Sequence, residues 1–207
     1  MHRTLAAAGI TILLSASVTR ADLPIRTVAL SGQSAPGTSA PFLNFYHATI
    51  NSAGRVAFTA QLDLGPPDSF EVGIWSEGSG TLANVARVNQ NAPGTSDQFQ
   101  DFLAGDEQLI LDDAGNVAFP AYTTGSTTTP AGIWMGGAGS LQPYALQNSP
   151  APGTSTTLAY PQAFVVNPAG TITFHARLND PAIIREGIWT TLGGALHPIV
   201  IDGSPAP

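Results

Sequence analysis

Gly73-Ile74-Trp75 is followed by a largely apolar stretch, Leu82 to Val88, and then by Ala92-Pro93-Gly94. The same sequence of features returns as Gly132-Ile133-Trp134 leading to Ala151-Pro152-Gly153, and again as Gly187-Ile188-Trp189 leading to Ala206-Pro207. Equivalent positions lie 55 to 61 residues apart. A fixed period of this kind marks one supersecondary unit used several times. The fold is therefore decided by what a single unit contains.

Working outward, the stretch before each Ala-Pro pair reads as a short strand: 25–30, 82–87, 141–146 and 196–201. Counted back from Ala-Pro, Val28, Val85, Tyr144 and Ile199 share one position. Next comes Gly32, Asn89, Asn148 or Gly203, residue types that tolerate positive φ, so each copy should turn sharply there. Ala-Pro-Gly (Pro93-Gly94, Pro152-Gly153) forms a second turn, with Pro fixing φ and Gly freeing it. A third turn opens with Asn or Asp and closes with Gly: Asn51 to Gly54, Asp112 to Gly115, Asn167 to Gly170. It joins two strands, the second carrying Phe58, Phe119 or Phe174 in period-2 alternation, the pattern of a half-buried strand. Loops of unlike length and composition (63–72, 123–131, 179–186) then lead to Gly-Ile-Trp. Variable loops on a repeated frame are where such proteins carry surface variety.

Each unit thus supplies four short strands, and one such sheet cannot bury both faces, so the units must stack. The expectation is an all-β chain of tandem four-stranded antiparallel repeats. That amounts to a partial or open β-propeller of about three blades plus a surplus strand at 25–30. Its domain spans 22–207, with units at 38–94, 95–153 and 154–207. A threefold β-trefoil-like barrel is the alternative. The last copy stops inside the turn at Ala206-Pro207, which implies a shortened member of a longer series.

Residues 1–21 read as a secretory signal peptide. A basic start at Arg3 precedes the apolar run Leu5 to Val18, and small residues flank a cleavage point between Ala21 and Asp22. The run is too short to span a membrane. Cleavage would move the formal charge from −7 to −9, because only five Arg then face fourteen acids. An acidic chain with no Lys argues against nucleic acid or anionic lipid as partner. Without Cys, the chain has neither disulfides nor a thiol nucleophile.

The element Asn-x-x-Gly-x-x-x-Phe (Asn51/Gly54/Phe58, Asn167/Gly170/Phe174, with Asp112 at Gly115/Phe119) resembles the secreted bacterial tandem-repeat proteins named for an NxxGxxAF motif. Ala precedes Phe in the first two copies (Ala57, Ala118), whereas the third has Thr173. The resemblance implies β-propeller-like repeats with no established activity, in proteins that often carry a C-terminal sorting or anchor segment.

Candidate chemistry is sparse. Asp112 and Asp113, near Asp106-Glu107, are the only candidate metal ligands, and the alternating spacing of a calcium loop is missing. Turn capping explains Asp112 and Asp113 without a metal. His47, His175 and His197 form no ligand pair, and His175 falls on a polar strand face. No nucleophile elbow or phosphate-cradling loop occurs. Trp75, Trp134 and Trp189 occupy one repeat position and read as core. With no cofactor implied and no catalytic residue assigned, two classes remain. One is a secreted or cell-surface scaffold with a binding or structural role, its specificity in the variable loops. The other is a propeller-type extracellular polysaccharide hydrolase or lyase. Self-association through open sheet edges would follow if a partial propeller left edges unpaired.

Overall fold

The computed structural model describes residues 25–65, 70–102, 108–125 and 131–205. The expected signal segment with Ala21 and Asp22, the Asp106-Glu107 pair and the terminal Ala206-Pro207 lie outside them. The chain forms three open antiparallel sheets. The first is β1 (Phe42–Ile50), β2 (Val56–Asp63), β3 (Phe70–Ser76) and β4 (Ala83–Arg87), in that order. The second contains β5 (Phe99–Phe102), β6 (Ile110–Leu111), β7 (Val117–Thr123), β8 (Gly132–Gly136) and β9 (Gln142–Leu146). Here β5 and β6 both pair with β7, as two pieces of one edge. The third runs β10 (Leu158–Val166), β11 (Ile172–Leu178), β12 (Glu186–Thr190) and β13 (His197–Ile201). No sheet closes into a barrel, which removes the trefoil alternative. The arrangement is consistent with open, propeller-like blades.

Gly-Ile-Trp holds the third strand position in every sheet. The three Trp side chains are fully buried. Each indole Nε1–H donates to a proline carbonyl: Trp75 to Pro36 (3.0 Å), Trp134 to Pro93 (2.9 Å) and Trp189 to Pro152 (3.0 Å). In all three cases the proline belongs to the Ala-Pro-Gly turn immediately preceding that sheet. The turn therefore opens a structural unit instead of closing one, and the unit boundaries at 94 and 153 shift accordingly.

Glycine precedes Ile for a steric reason. Residues two apart on a strand share a face, so the indole folds back over the glycine. A Cβ on Gly187 would lie 2.6 Å from Trp189 Cη2 and 2.9 Å from the Val200 carbonyl oxygen. On Gly73 it would lie 2.8 Å from Trp75 Cη2 and 2.9 Å from the Ala86 carbonyl oxygen.

The turns take the conformations their residue types demand. Asn89 (φ 66°) and Asn148 (φ 65°) are left-handed, as is Gly32 at the same position. In the Asn-x-x-Gly turns, Asn51 Oδ1 accepts the N–H groups of Ala53 and Arg55, and Asn167 Oδ1 accepts those of Ala169 and Thr171.

Two expectations need correction. Residues 25–30 are not a strand. They correspond in sequence to β4 but join no ladder among the described residues. They lie instead against the Trp face of the first sheet, where Val28 and Ala29 pack beside Trp75 and Phe58. The Arg26 guanidinium fastens them by bonds to the Glu77 carboxylate and the Gly54 carbonyl. The Phe-bearing strand is also not half-buried in the first two sheets. Ala57 and Thr59 of β2, like Ala118 and Pro120 of β7, are buried on the second face too. The next sheet covers them: Ala57, Ile74 and Ala86 pack against Phe99, Phe119 and Trp134, and Ala118, Ile133 and Ala145 against Phe174 and Trp189.

Replacing Trp134 with Phe keeps an aromatic ring but leaves the partly buried Pro93 carbonyl without its donor. We expect a loss of about 1–3 kcal/mol in urea unfolding. An unchanged midpoint would show that the indole bond contributes nothing.

Candidate functional site

The strand order places two kinds of connection at opposite ends of the sheets. The Asn-x-x-Gly turns and the Gly-rich turns after Gly-Ile-Trp share one end. The variable loops and Ala-Pro-Gly turns share the other. The sequence-level candidates Asp112 and Asp113 belong to the turn end, where they join the first sheet to the second. Asp112 is buried, and its carboxylate accepts from Asn116 N–H (2.7 Å) and Asn116 Nδ2 (3.0 Å). Its backbone carbonyl accepts from Asn51 Nδ2 (2.9 Å). Asp113 Oδ1 accepts from the Ser52 hydroxyl (2.7 Å) and Ser52 N–H (3.1 Å). These bonds, the hydroxyl's first, hold the Asp113 pKa below the usual range. Close by, Arg55 Nη1 donates to the Gly78 carbonyl (2.5 Å), and Gly78 touches Gly115 backbone to backbone. Among the described residues no three His, Asp or Glu side chains gather as a metal site. This pair of aspartates locks neighbouring turns together.

Other carboxylates are similarly engaged. Glu77 takes the Arg26 guanidinium and Val56 N–H, and the Arg26 bond chiefly lowers its pKa. Glu71 pairs with Arg87 at 3.1 Å. Asp97 accepts from the hydroxyls of Thr123 and Thr124. Glu186 binds His175 Nε2 (3.0 Å) and Arg177 Nε (3.0 Å), the histidine bond contributing most to its lowered pKa. The His175 position is interior in the first two sheets and borders solvent only in the third. Asp101 departs in the other direction: the residue is exposed, yet its carboxyl is partly desolvated, which pushes its pKa up.

Two clefts open between successive sheets beside their fourth strands. The first, about 520 Å³, is lined by Asn84, Val85, Gln90, Phe99 and Leu141 among others. The second, about 460 Å³, is lined by Gln142, Tyr144, Thr171, Thr191 and Leu196 with Gly193-Gly194. Each is bordered by the extra residue of a β-bulge. Pairing jumps from Ile74↔Ala86 to Trp75↔Asn84, and from Ile133↔Ala145 to Trp134↔Pro143, leaving Val85 and Tyr144 as the extra residues. A bulge re-aims its side chain out of the regular pleat. Sequence reasoning put Val85 and Tyr144 at one repeat position without recognising either as a wall of a cleft. The signal was a tyrosine where the other copies have Val or Ile.

Residues 5–207 match the model of a family of unknown function, DUF7453, and the chain belongs to that family. No curated protein and no solved structure matches it.

Two expectations follow. Asp112→Asn should leave stability nearly unchanged, because Asn51 and Asn167 already serve that position. Asp112→Ala should cost about 1–3 kcal/mol by leaving the partly buried Asn116 N–H donors unpaired. Equal midpoints in chemical denaturation would refute the capping role. The second concerns acid. Glu77, Asp113 and Glu186 have folded pKa values below their unfolded ones, so the unfolded chain binds more protons and stability rises with pH. Their contribution is present above the ordinary carboxylate range and is lost as pH falls through the lowered values. Asp101, raised, contributes with the opposite sign and loses its share as pH climbs. Melting temperature should drop below about pH 4, and Glu77→Gln should flatten that drop; an identical profile would refute the assignment.

Proposed function

We propose that this protein is an exported repeat scaffold with a binding or structural role, its sheets serving as blades of a propeller-type array. The observation that carries the reading is the use made of its carboxylates. Asp112, Asp113, Glu71, Glu77, Asp97 and Glu186 are all engaged by groups of the frame itself. Paired acids of a glycosidase need separated carboxyls facing a common substrate, with one pKa raised for acid catalysis. Asp101 is raised, but by desolvation, with no neighbouring carboxylate among the causes. Export rests on the N-terminal signal pattern and on the likeness to NxxGxxAF repeat proteins. Among the described residues no helix is long and apolar enough to cross a membrane.

Expression in a bacterial host should release a mature protein whose mass begins at Asp22; a retained N-terminus would argue against export by this signal. Incubated with a panel of extracellular polysaccharides, the purified protein should generate no new reducing or unsaturated ends. Turnover that disappears in Asp112→Asn or Asp113→Ala would replace the scaffold reading with a catalytic one.

A further inference from the structure

We infer that the cleft between the second and third sheets is a binding site for a neutral saccharide, with Tyr144 as its aromatic wall. This rests on the scaffold reading and gives it a ligand class.

The two inter-sheet clefts occupy related places yet differ in chemistry. In the first, the bulge residue is Val85, which is buried in the contact between sheets. The polar groups there are largely used by the chain: Asn84 Nδ2 donates to the carbonyls of Ile74 and Ala86, and Gln90 Oε1 accepts from Arg87 N–H. In the second cleft the bulge residue is Tyr144, 37% exposed. The Gln142 carboxamide, the Tyr144 phenol and the Thr171 hydroxyl have no hydrogen-bond partner among the described residues. Unspent donors and acceptors around a concavity, with an aromatic ring beside them, are what a ligand site offers.

The lining selects the ligand class. No charged side chain borders this cleft, so an anion would enter without a counter-charge and a cation without a carboxylate. The Asp112 carboxylate, close to Gly170 of the lining, is buried and held by Asn116. A sugar ring presents an apolar C–H face and a rim of hydroxyls. The Tyr144 ring and Leu196 suit the face, and the free amide and hydroxyls suit the rim. The far wall is low: a Cβ on Gly193 or Gly194 would meet nothing within 4 Å. An extended chain could therefore pass across the cleft.

The test is titration calorimetry of the full mature chain with maltotriose, cellotriose, xylotriose and laminaritriose, with trigalacturonate as the charged comparison. At least one neutral trisaccharide should bind saturably. Affinity should fall at least tenfold in Tyr144→Val, which installs the residue found at Val85 and so preserves the fold. Gln142→Ala should also weaken binding, while Asn91→Ala in the first cleft should leave it unchanged. Silence across the neutral panel overturns the site, as does equal binding of trigalacturonate. Saccharide binding insensitive to Tyr144→Val also overturns it but leaves the scaffold reading standing. Hydrolysis of a bound trisaccharide would overturn the scaffold reading itself.

Discussion

A single partly buried hydrogen bond, from a buried tryptophan indole to a proline carbonyl, recurs in every sheet. It fixes the distance between the third strand and the turn entering the unit, across about 40 residues of chain. Around it the ring packs edge-on against Phe42 in the first sheet and Phe99 in the second, with centroids 5.0 and 5.1 Å apart. Phe58 and Phe174 lie nearly parallel to their own tryptophans. The glycine two residues earlier is the space the indole needs. Ala35, Ala92 and Ala151 of the turns are buried beside it. Glycine, tryptophan, proline and alanine thus recur together because they form one packing unit.

Given that unit, the functional reading becomes a question of departures. Positions that build the frame keep their chemistry, whether the side chain is apolar or an Asn or Asp capping a turn (Asn51, Asp112, Asn167). Positions facing gaps between units drift, and the drift has chemical content. Valine at one bulge becomes tyrosine at the next. Thr59 becomes Pro120 and then His175, the last in company with Arg177 and Glu186. A frame whose acids are spent on its own turns has little left for bond-breaking, but its clefts retain unspent amides and hydroxyls.

Much of this was legible in the chain. The strands, the three turn types and the burial of Trp75, Trp134 and Trp189 follow from periodicity and from the conformational limits of Gly, Asn and Pro. The side-chain cap of Asp112 was legible for the same reason, being local. What escaped was non-local. Ala57 and Thr59 alternate like a surface-facing row, and only the arrival of the next sheet makes them interior. Residues 25–30 have the composition of β4 yet no ladder, since a strand is defined by its neighbour as much as by itself. The clefts were hidden because a bulge depends on pairing register, and register between strands is not written in either strand alone.

The packing between sheets has a directional consequence. Every internal contact sets the isoleucine face of one sheet against the tryptophan face of the next, two surfaces that differ in shape and content. Like faces never meet. The stack therefore has a polarity, as a head-to-tail polymer does, and its two ends are chemically distinct. At one, the tryptophan side is covered by residues 25–30 with Phe45 still 38% exposed; at the other, Ile188 lies open at 36%, where Ile74 and Ile133 are at 1% and 0%. A symmetric pairing that placed identical faces together could not reproduce the contact on which the interior is built.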